Sequence, residues 1–187
     1  MNSCDPPEAT IRDGAILIRS EQDVAYLVER IQQAADHFRD AVLGRLDDPL
    51  ALLRGLKFEP IGRHPIEARA LNAIEQVNQT WTYLVAVKAA QQLLRLHPGL
   101  GGFWLAPGAH AAQALDIMSV ADGVVGAETF AAVDPKNNAK LAQDLKKLAA
   151  RPERYRYIFF SSPKFPGSLR RQELERAEGV EVWSLDV

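Results

Sequence analysis

The sequence predicts an α+β fold, in which a mixed β-sheet of about five strands is flanked by helices. Three observations predict it. Apolar residues at helical spacing dominate the first half of the chain, short apolar runs separated by turn residues follow Gly101, and a helical segment precedes each of the last two strands. Tight turns between early strands are typical of antiparallel pairs, whereas helical crossovers are typical of parallel ones. The sheet is therefore expected to be mixed.

The N-terminal part is predicted to be a helical appendage, residues 1–62, that packs with a core domain, residues 63–187, into one compact unit. A helix is expected over Glu21–Leu46, where apolar residues recur at steps of three and four. A short helix is expected over Pro49–Leu56, because proline suits the first turn of a helix. Ala15–Arg19 is a short apolar run that suits either a helix or a strand.

The core domain is predicted to begin with one long helix over Ile66–Leu96, whose apolar residues form a single stripe. After it the hydrophobic period changes to that of short strands. The expected elements are, in order, strands Gly102–Ala106, Leu115–Ala121 and Val124–Val133, helix Lys140–Ala150 with Asn137 or Asn138 as its cap, strand Tyr155–Ser161, helix Leu169–Ala177 and strand Val180–Leu185.

Composition argues against several classes of protein. The 187 residues carry 22 basic and 24 acidic side chains, which is too near neutral for a general nucleic-acid coat protein. Cys4 is the only cysteine, so no internal disulfide forms and a reducing compartment is favoured. No apolar run approaches the roughly 18 residues of a membrane span. We therefore expect a cytoplasmic protein without a membrane partner.

Two acidic residues, Asp116 and Glu128, stand inside otherwise apolar predicted strands. A carboxylate there is costly unless it is solvated, paired or bound to a metal. A three-residue loop, Ala121–Gly123, would place the two directly opposite each other, with Cβ atoms about 5 Å apart, and such a pair suits Mg²⁺ or Mn²⁺. A two-residue turn would instead pair Asp116 with Thr129 and separate the carboxylates. The spacing alone leaves both registers open.

The order of helix, three-stranded meander, helix and strand, with Asp116 on the second strand and Glu128 on the third, resembles the restriction-endonuclease-like fold, whose loose signature is PD-(D/E)XK. The resemblance covers residues 66–187. It implies that the two acids bind Mg²⁺ or Mn²⁺ for phosphodiester hydrolysis, with a nucleic acid such as DNA as the partner. The sequence departs from the signature twice, since Leu115 replaces the proline and Phe130 stands at the position of the lysine.

The missing lysine has candidate replacements. Some relatives supply it from the following helix, where Lys140 is the preferred match and Lys136 the other. Others keep an acid on the first long helix, where Glu75, or less readily Glu67, would be an accessory acid. Without a lysine in reach, an ion would bind but turnover would be poor. The resemblance therefore also allows a degenerate domain that only binds an ion or a nucleic acid.

Residues 134–156 are locally basic, with seven Lys or Arg against three Asp or Glu. A phosphate-binding surface beside the two acids would use Lys136, Lys146, Lys147 and Arg151. The alternative, which we favour, is an ordinary solvated helix face with Lys140 and Asp144 as a pair four residues apart.

A function of a different class also fits, namely a non-catalytic protein–protein interaction module. The long helix and the N-terminal helices would then form a homodimer or bind a partner. Apolar residues within positions 24–56, beyond those that one helix face needs, would support this hypothesis.

Overall fold

The computed structural model describes residues 10–44, 48–108, 113–136 and 139–187. Cys4, Asn137 and Asn138 lie outside these ranges. The elements are β1 (Ile11–Arg12), β2 (Ala15–Ile18), α1 (Glu21–Leu43), α2 (Pro49–Phe58), β3 (Gly62–Arg63), β4 (Ala70–Leu71), α3 (Ala73–Leu96), β5 (Phe103–Leu105), β6 (Ile117–Ser119), β7 (Val125–Ala131), α4 (Ala139–Ala149), β8 (Tyr155–Ser161), β9 (Leu169–Arg170), a 3₁₀ turn (Gln172–Leu174) and β10 (Val180–Ser184). The fold class is α+β, as predicted.

The centre of the molecule is an eight-stranded mixed sheet in the order β1-β2-β5-β6-β7-β8-β10-β9, and β3 pairs with β4 in a separate small hairpin. The five predicted strands are the contiguous middle of the large sheet, and short strands extend it at both edges. β5, β6 and β7 are antiparallel, whereas β7, β8 and β10 are parallel. The predicted strand directions are therefore confirmed, although the sheet has more strands than expected.

The sheet is covered on both faces. Successive residues of β8 point to opposite faces. Tyr157 and Phe159 join a core formed with α1 and α3, whereas Ile158 and Phe160 join a second core formed with α4. Because β2 pairs with β5 and α1 packs on α3, residues on both sides of position 62 share the first core. None of the helices in the described ranges is long and apolar enough to cross a membrane.

Two predicted helices differ from the structure. The long helix begins at Ala73 rather than Ile66, because Asn72 caps it and the preceding residues form the β3–β4 hairpin. His64 turns the chain there, since its Nδ1 accepts hydrogen bonds from the backbone N–H groups of Ile66 and Glu67. The predicted helix Leu169–Ala177 is wrong. Its first two residues pair with β10, and only a 3₁₀ turn follows.

Candidate functional site

The register of β6 and β7 decides whether Asp116 and Glu128 meet. Ile117 pairs with Ala127 and Met118 with Gly126, which is the register of the three-residue loop. The same register continued by one residue puts Asp116 opposite Glu128. The backbone of Asp116 still follows the sheet, because its carbonyl oxygen accepts a hydrogen bond from Ala106 N–H at 2.8 Å. Of the two registers that the sequence left open, the structure has the one that brings the acids together.

Asp116 lies immediately before β6 rather than inside the strand, and it is half-buried. Its Oδ2 accepts hydrogen bonds from the backbone N–H of Thr129 at 2.8 Å and from the Thr129 hydroxyl at 2.9 Å. Burial, followed by the charge of Glu128, raises the pKa of the Asp116 carboxyl group, although the Thr129 hydrogen bonds oppose that shift. The ionised carboxylate is thus under electrostatic strain that a nearby cation would relieve.

Glu128 is fully enclosed in the middle of β7, with 2% of the residue exposed. Lysines from α4 reach both of its carboxylate oxygens. The Lys147 ammonium group donates to Oε1 at 2.6 Å, and the Lys140 ammonium group lies 3.4 Å from Oε2. A buried carboxylate needs such partners, because an isolated charge away from water is very costly. The two lysines, whose side chains are 38% and 47% exposed, thus compensate the charge of the buried Glu128.

Helix α4 has two different sides. Leu141, Leu145 and Leu148 pack with the apolar side chains of the second core. Lys140, Asp144 and Lys147 are spaced four and three residues apart, which aligns them along one side of a helix. This polar strip contacts Glu128. The two lysines that contact Glu128 therefore come from α4, the helix that follows β7.

Asp144 was not among the predicted site residues. It is buried, with 3% of the residue exposed, although the sequence suggested a solvated pair with Lys140. Its Oδ1 accepts a hydrogen bond from Lys140 at 2.6 Å, and its Oδ2 has no hydrogen-bond partner. Burial raises the pKa of the Asp144 carboxyl to about 6, against the opposing effect of Lys140 and with a further increase from Glu128 and Asp116. The favoured interpretation of this helix side as an ordinary solvated face is therefore wrong for Asp144. We call Asp116, Glu128, Lys140, Asp144 and Lys147 the acid–lysine cluster.

Glu75 lies elsewhere, at the N-terminus of α3. Its backbone N–H donates to the Asn72 side chain at 2.9 Å, and its own carboxylate accepts from the Asn72 backbone N–H at 3.2 Å. This reciprocal arrangement is a capping box. Glu75 is exposed, and its contacts are those of a helix cap. Its predicted role as an accessory acid stays a prediction.

The four predicted nucleic-acid contacts have different surroundings. Lys147 contacts Glu128 within the cluster. Arg151 forms an ion pair with the buried Glu153. Lys136 and Lys146 are exposed, and the Lys136 ammonium group lies 5.5 Å from the centre of the Phe165 ring. Two of the four side chains are thus already engaged with carboxylates.

Phe130 occupies the strand position of the signature lysine and belongs to the second core. It is 7% exposed, and its ring stacks on that of Phe160 at a centroid distance of 5.7 Å. A charged side chain could not replace it there without a buried partner. Any cation of the site must therefore come from another element, as the α4 lysines do.

A divalent ion would fit the cluster under one condition. Among the residues that the structure describes, no group of three or more Asp, Glu, His or Cys side chains is arranged to hold a metal. Mg²⁺, however, is commonly bound by one or two carboxylates together with water and substrate phosphate oxygens. Asp116 and Glu128 supply two carboxylates, and Asp144 adds a buried oxygen without a partner. Since lysines hold both oxygens of Glu128, an ion would bind there if one lysine moved away.

Comparisons with protein-family models, with curated proteins and with solved structures find no match. The resemblance to restriction endonucleases therefore stays a prediction, which rests on the order of the elements and on Asp116 and Glu128.

Proposed function

We propose that this chain contains a restriction-endonuclease-like domain that hydrolyses phosphodiester bonds of a nucleic acid, DNA in the first instance, with Mg²⁺ or Mn²⁺. The observation that carries the proposal is the position of Lys140, whose ammonium group contacts Glu128 on the strand opposite Asp116. This lysine supplies the cation that Phe130 cannot. The active form of the domain is therefore favoured over a degenerate one.

Asp116 and Glu128 are the residues that would hold the ion. The ion would polarise the scissile phosphate and lower the pKa of the attacking water. The chain itself contributes position and charge. Asp116 is held by the Thr129 hydrogen bonds, and Glu128 is held by the two α4 lysines, so both carboxylates are positioned before an ion binds.

Lys140 would act as a fixed positive charge rather than as a base. Burial lowers the pKa of Lys140, but its bond to Asp144 and the charges of Glu128 and Asp116 raise the pKa by more. The amine therefore stays protonated at neutral pH. A protonated lysine beside the carboxylates would orient the phosphate and stabilise the negative charge that develops on it.

The nucleic-acid backbone would be bound by exposed cations near the cluster. Lys136 and Lys146 are the strongest candidates, because both are exposed and neither forms an ion pair within the described ranges. Arg151 adds charge, but its guanidinium is held by Glu153. Contacts of this kind attract phosphates without reading sequence, and they weaken as salt increases.

Cleavage of plasmid DNA and of short DNA and RNA strands tests the proposal directly. We expect cleavage with Mn²⁺ or Mg²⁺ and none with EDTA. Removal of one preorganised charge from such a site lowers rates by about 10²–10³-fold, so Glu128→Gln and Lys140→Met should each lose at least about 100-fold. Lys57→Met, which removes an exposed lysine on α2, should cleave at the wild-type rate.

Thermal unfolding with Mn²⁺ and with EDTA gives the matching binding experiment. An ion that binds only the folded state raises the midpoint of unfolding. We expect this rise in the wild type and its loss in Glu128→Gln. The absence of both cleavage and the Mn²⁺-dependent rise would overturn the proposal.

A second candidate function is a homodimer or partner interface on α2. Leu50, Leu53 and Phe58 are 77%, 60% and 74% exposed, and Gly55 is the only buried residue of the helix. The neighbouring helix α3 exposes further large apolar side chains, Ile74, Val77 and Trp81. The last two also line a groove of about 420 Å³ between α3 and the ends of β7 and β8. Adjacent apolar residues on a surface mark interaction sites.

Sedimentation of the protein over a range of concentrations tests this second candidate. We expect a dimer that Leu53→Asp and Phe58→Asp convert to a monomer. Val187→Asp, at an exposed position in the C-terminal tail, should leave the dimer intact. A monomer at all concentrations would exclude the homodimer and leave a different protein as the partner of α2.

A further inference from the structure

The two lysines that reach Glu128 are bound differently. The Lys140 ammonium group lies closer to Asp144, at 2.6 Å, than to Glu128, at 3.4 Å. Lys147 contacts Glu128 alone among the described carboxylates, at 2.6 Å. Lys140 is thus shared by two acids, whereas Lys147 depends on one.

The lysines also differ in which carboxylates would lose a partner if the ammonium group moved away. The side chain of Lys147 is 47% exposed, and its flexible stem lets the ammonium group move into water. The departure of Lys140 would leave Asp144 without a partner on either oxygen, although the residue is buried. Leaving a buried carboxylate unpaired is strongly destabilising. Departure of Lys147 is therefore less costly than departure of Lys140, because Glu128 keeps Lys140 and Asp144 keeps its only hydrogen-bond partner among the described side chains.

The charge balance of the cluster points to an additional cation. Three carboxylates and two ammonium groups leave one excess negative charge when all are ionised. The buried Oδ2 of Asp144, which has no hydrogen-bond partner, is the atom at which this excess is least compensated. Exchange of one ammonium group for a divalent cation would make the cluster neutral.

We infer that the ammonium group of Lys147 occupies the position of a divalent cation on Glu128 Oε1, that the cation binds by displacing it, and that Lys147 thereby sets the affinity of the site for the ion. This inference rests on the proposed function, because it concerns the same carboxylates. It reassigns Lys147 from a predicted phosphate contact to a determinant of ion binding. Lys140 stays in place beside Asp144 when the ion enters.

The inference is tested by isothermal titration calorimetry, in which Mn²⁺ alone is titrated into the protein at fixed pH and ionic strength. Lys147→Gln removes the competing charge, so we expect Mn²⁺ to bind about tenfold more tightly, equivalent to about 1.4 kcal/mol. Lys146→Gln is the matched control, because it removes the same charge from the adjacent exposed position. Its Mn²⁺ affinity should stay within about twofold of the wild type, since an exposed charge is screened by solvent and salt.

Lys147→Arg supplies the conservative variant and a check on folding. Because it keeps a cation beside Glu128, it should bind Mn²⁺ no more tightly than the wild type. Equal affinity in the wild type and Lys147→Gln, with binding lost in Glu128→Gln, would overturn the inference and leave the ion site standing. Weaker binding by Lys147→Gln would also overturn it. Absence of Mn²⁺ binding in every variant would remove the ion site, and the proposed function and the inference would fall together.

Discussion

The two faces of the central sheet bury very different side chains. On the face covered by α3, the buried residues of that helix are mainly small and apolar, and they pack against Phe103, Ile117 and Phe159, none of which is exposed to solvent. On the face covered by α4, an apolar core is bordered by the acid–lysine cluster, in which Glu128 and Asp144 are both buried. Both faces of the sheet thus bury an apolar core, and the α4 face adds a charged cluster to it.

The difference concerns what each buried group contributes to the stability of the fold. Burial of apolar surface stabilises the fold in proportion to its area. A buried ion cluster does not, because desolvation cancels most of the attraction, and apolar replacements are often as stable or more stable. The buried charges of the α4 face are therefore weak contributors to stability, and buried groups with shifted pKa values are candidates for functional sites.

Substitution in the core of the α3 face should have the largest effect on stability. Phe103→Ala removes a fully buried ring at the centre of this core, and we expect the free energy of unfolding to fall by about 3–5 kcal/mol. Urea unfolding measures this change. Leu43→Ala, at an exposed position on α1, should change it by less than about 0.5 kcal/mol. A loss below about 1 kcal/mol for Phe103→Ala would contradict the view that this face stabilises the fold.

On the α4 face, stability should depend on pH. The pKa of Asp144 rises from 3.8 to about 6 on folding, so the folded protein holds this proton more tightly than the unfolded chain does. The resulting stabilisation is present at about pH 4 and is lost as the pH rises through about 6. At 1.36 kcal/mol per pKa unit the loss is roughly 3 kcal/mol. Urea unfolding between pH 4 and 8 measures it.

Asp144→Asn separates the contribution of Asp144 to the pH dependence of stability from the contributions of other titrating groups. The amide can still accept the Lys140 hydrogen bond but does not titrate, so the decline between pH 4 and 6 should become shallower. A smaller decline should persist, because the pKa of Asp116 is also raised. Glu153 and Glu175 have lowered pKa values, so their effects lie below about pH 4.5 and act in the opposite direction. An unchanged pH profile in Asp144→Asn would contradict the charged character of this face.

Local patterns in the sequence were sufficient to predict the five strands in the middle of the sheet. The strands were found in this way, but their register was left open, and the structure has the register of the three-residue loop, in which Gly123 has a positive φ of 69°. Leu169–Arg170 could not be predicted, because a two-residue edge strand has no period of its own. It forms through pairing with β10, from which Ser184 also donates a hydrogen bond to Gly167 O.

The candidate site was predicted in its residue types but not in its contacts. Asp116 and Glu128 could be found because carboxylates inside apolar strands are unusual. Asp144 was missed because a charged residue on an amphipathic helix is ordinarily exposed, and its burial depends on how α4 lies on β7. The available signal was the spacing of Lys140, Asp144 and Lys147 beside the leucine stripe. That spacing shows which residues share a helix side, but not that this side contacts a strand.

The smallest expected change in stability comes from Glu75→Ala, and this variant tests whether Glu75 is a helix cap or an acid of the ion site. As a member of the capping box of α3, it satisfies the Asn72 backbone N–H, so Glu75→Ala should lower the free energy of unfolding by about 0.5 kcal/mol. Asn72→Ala, which removes the cap itself, should lower it by about 1 kcal/mol. Neither variant should alter the Mn²⁺-dependent rise in the unfolding midpoint, because the hydrogen bonds of Glu75 are made within α3. Loss of that rise in Glu75→Ala, with the rise kept in Asn72→Ala, would instead place Glu75 among the acids of the ion site. The ion site would then include a residue of α3, the helix that covers the opposite face of the sheet.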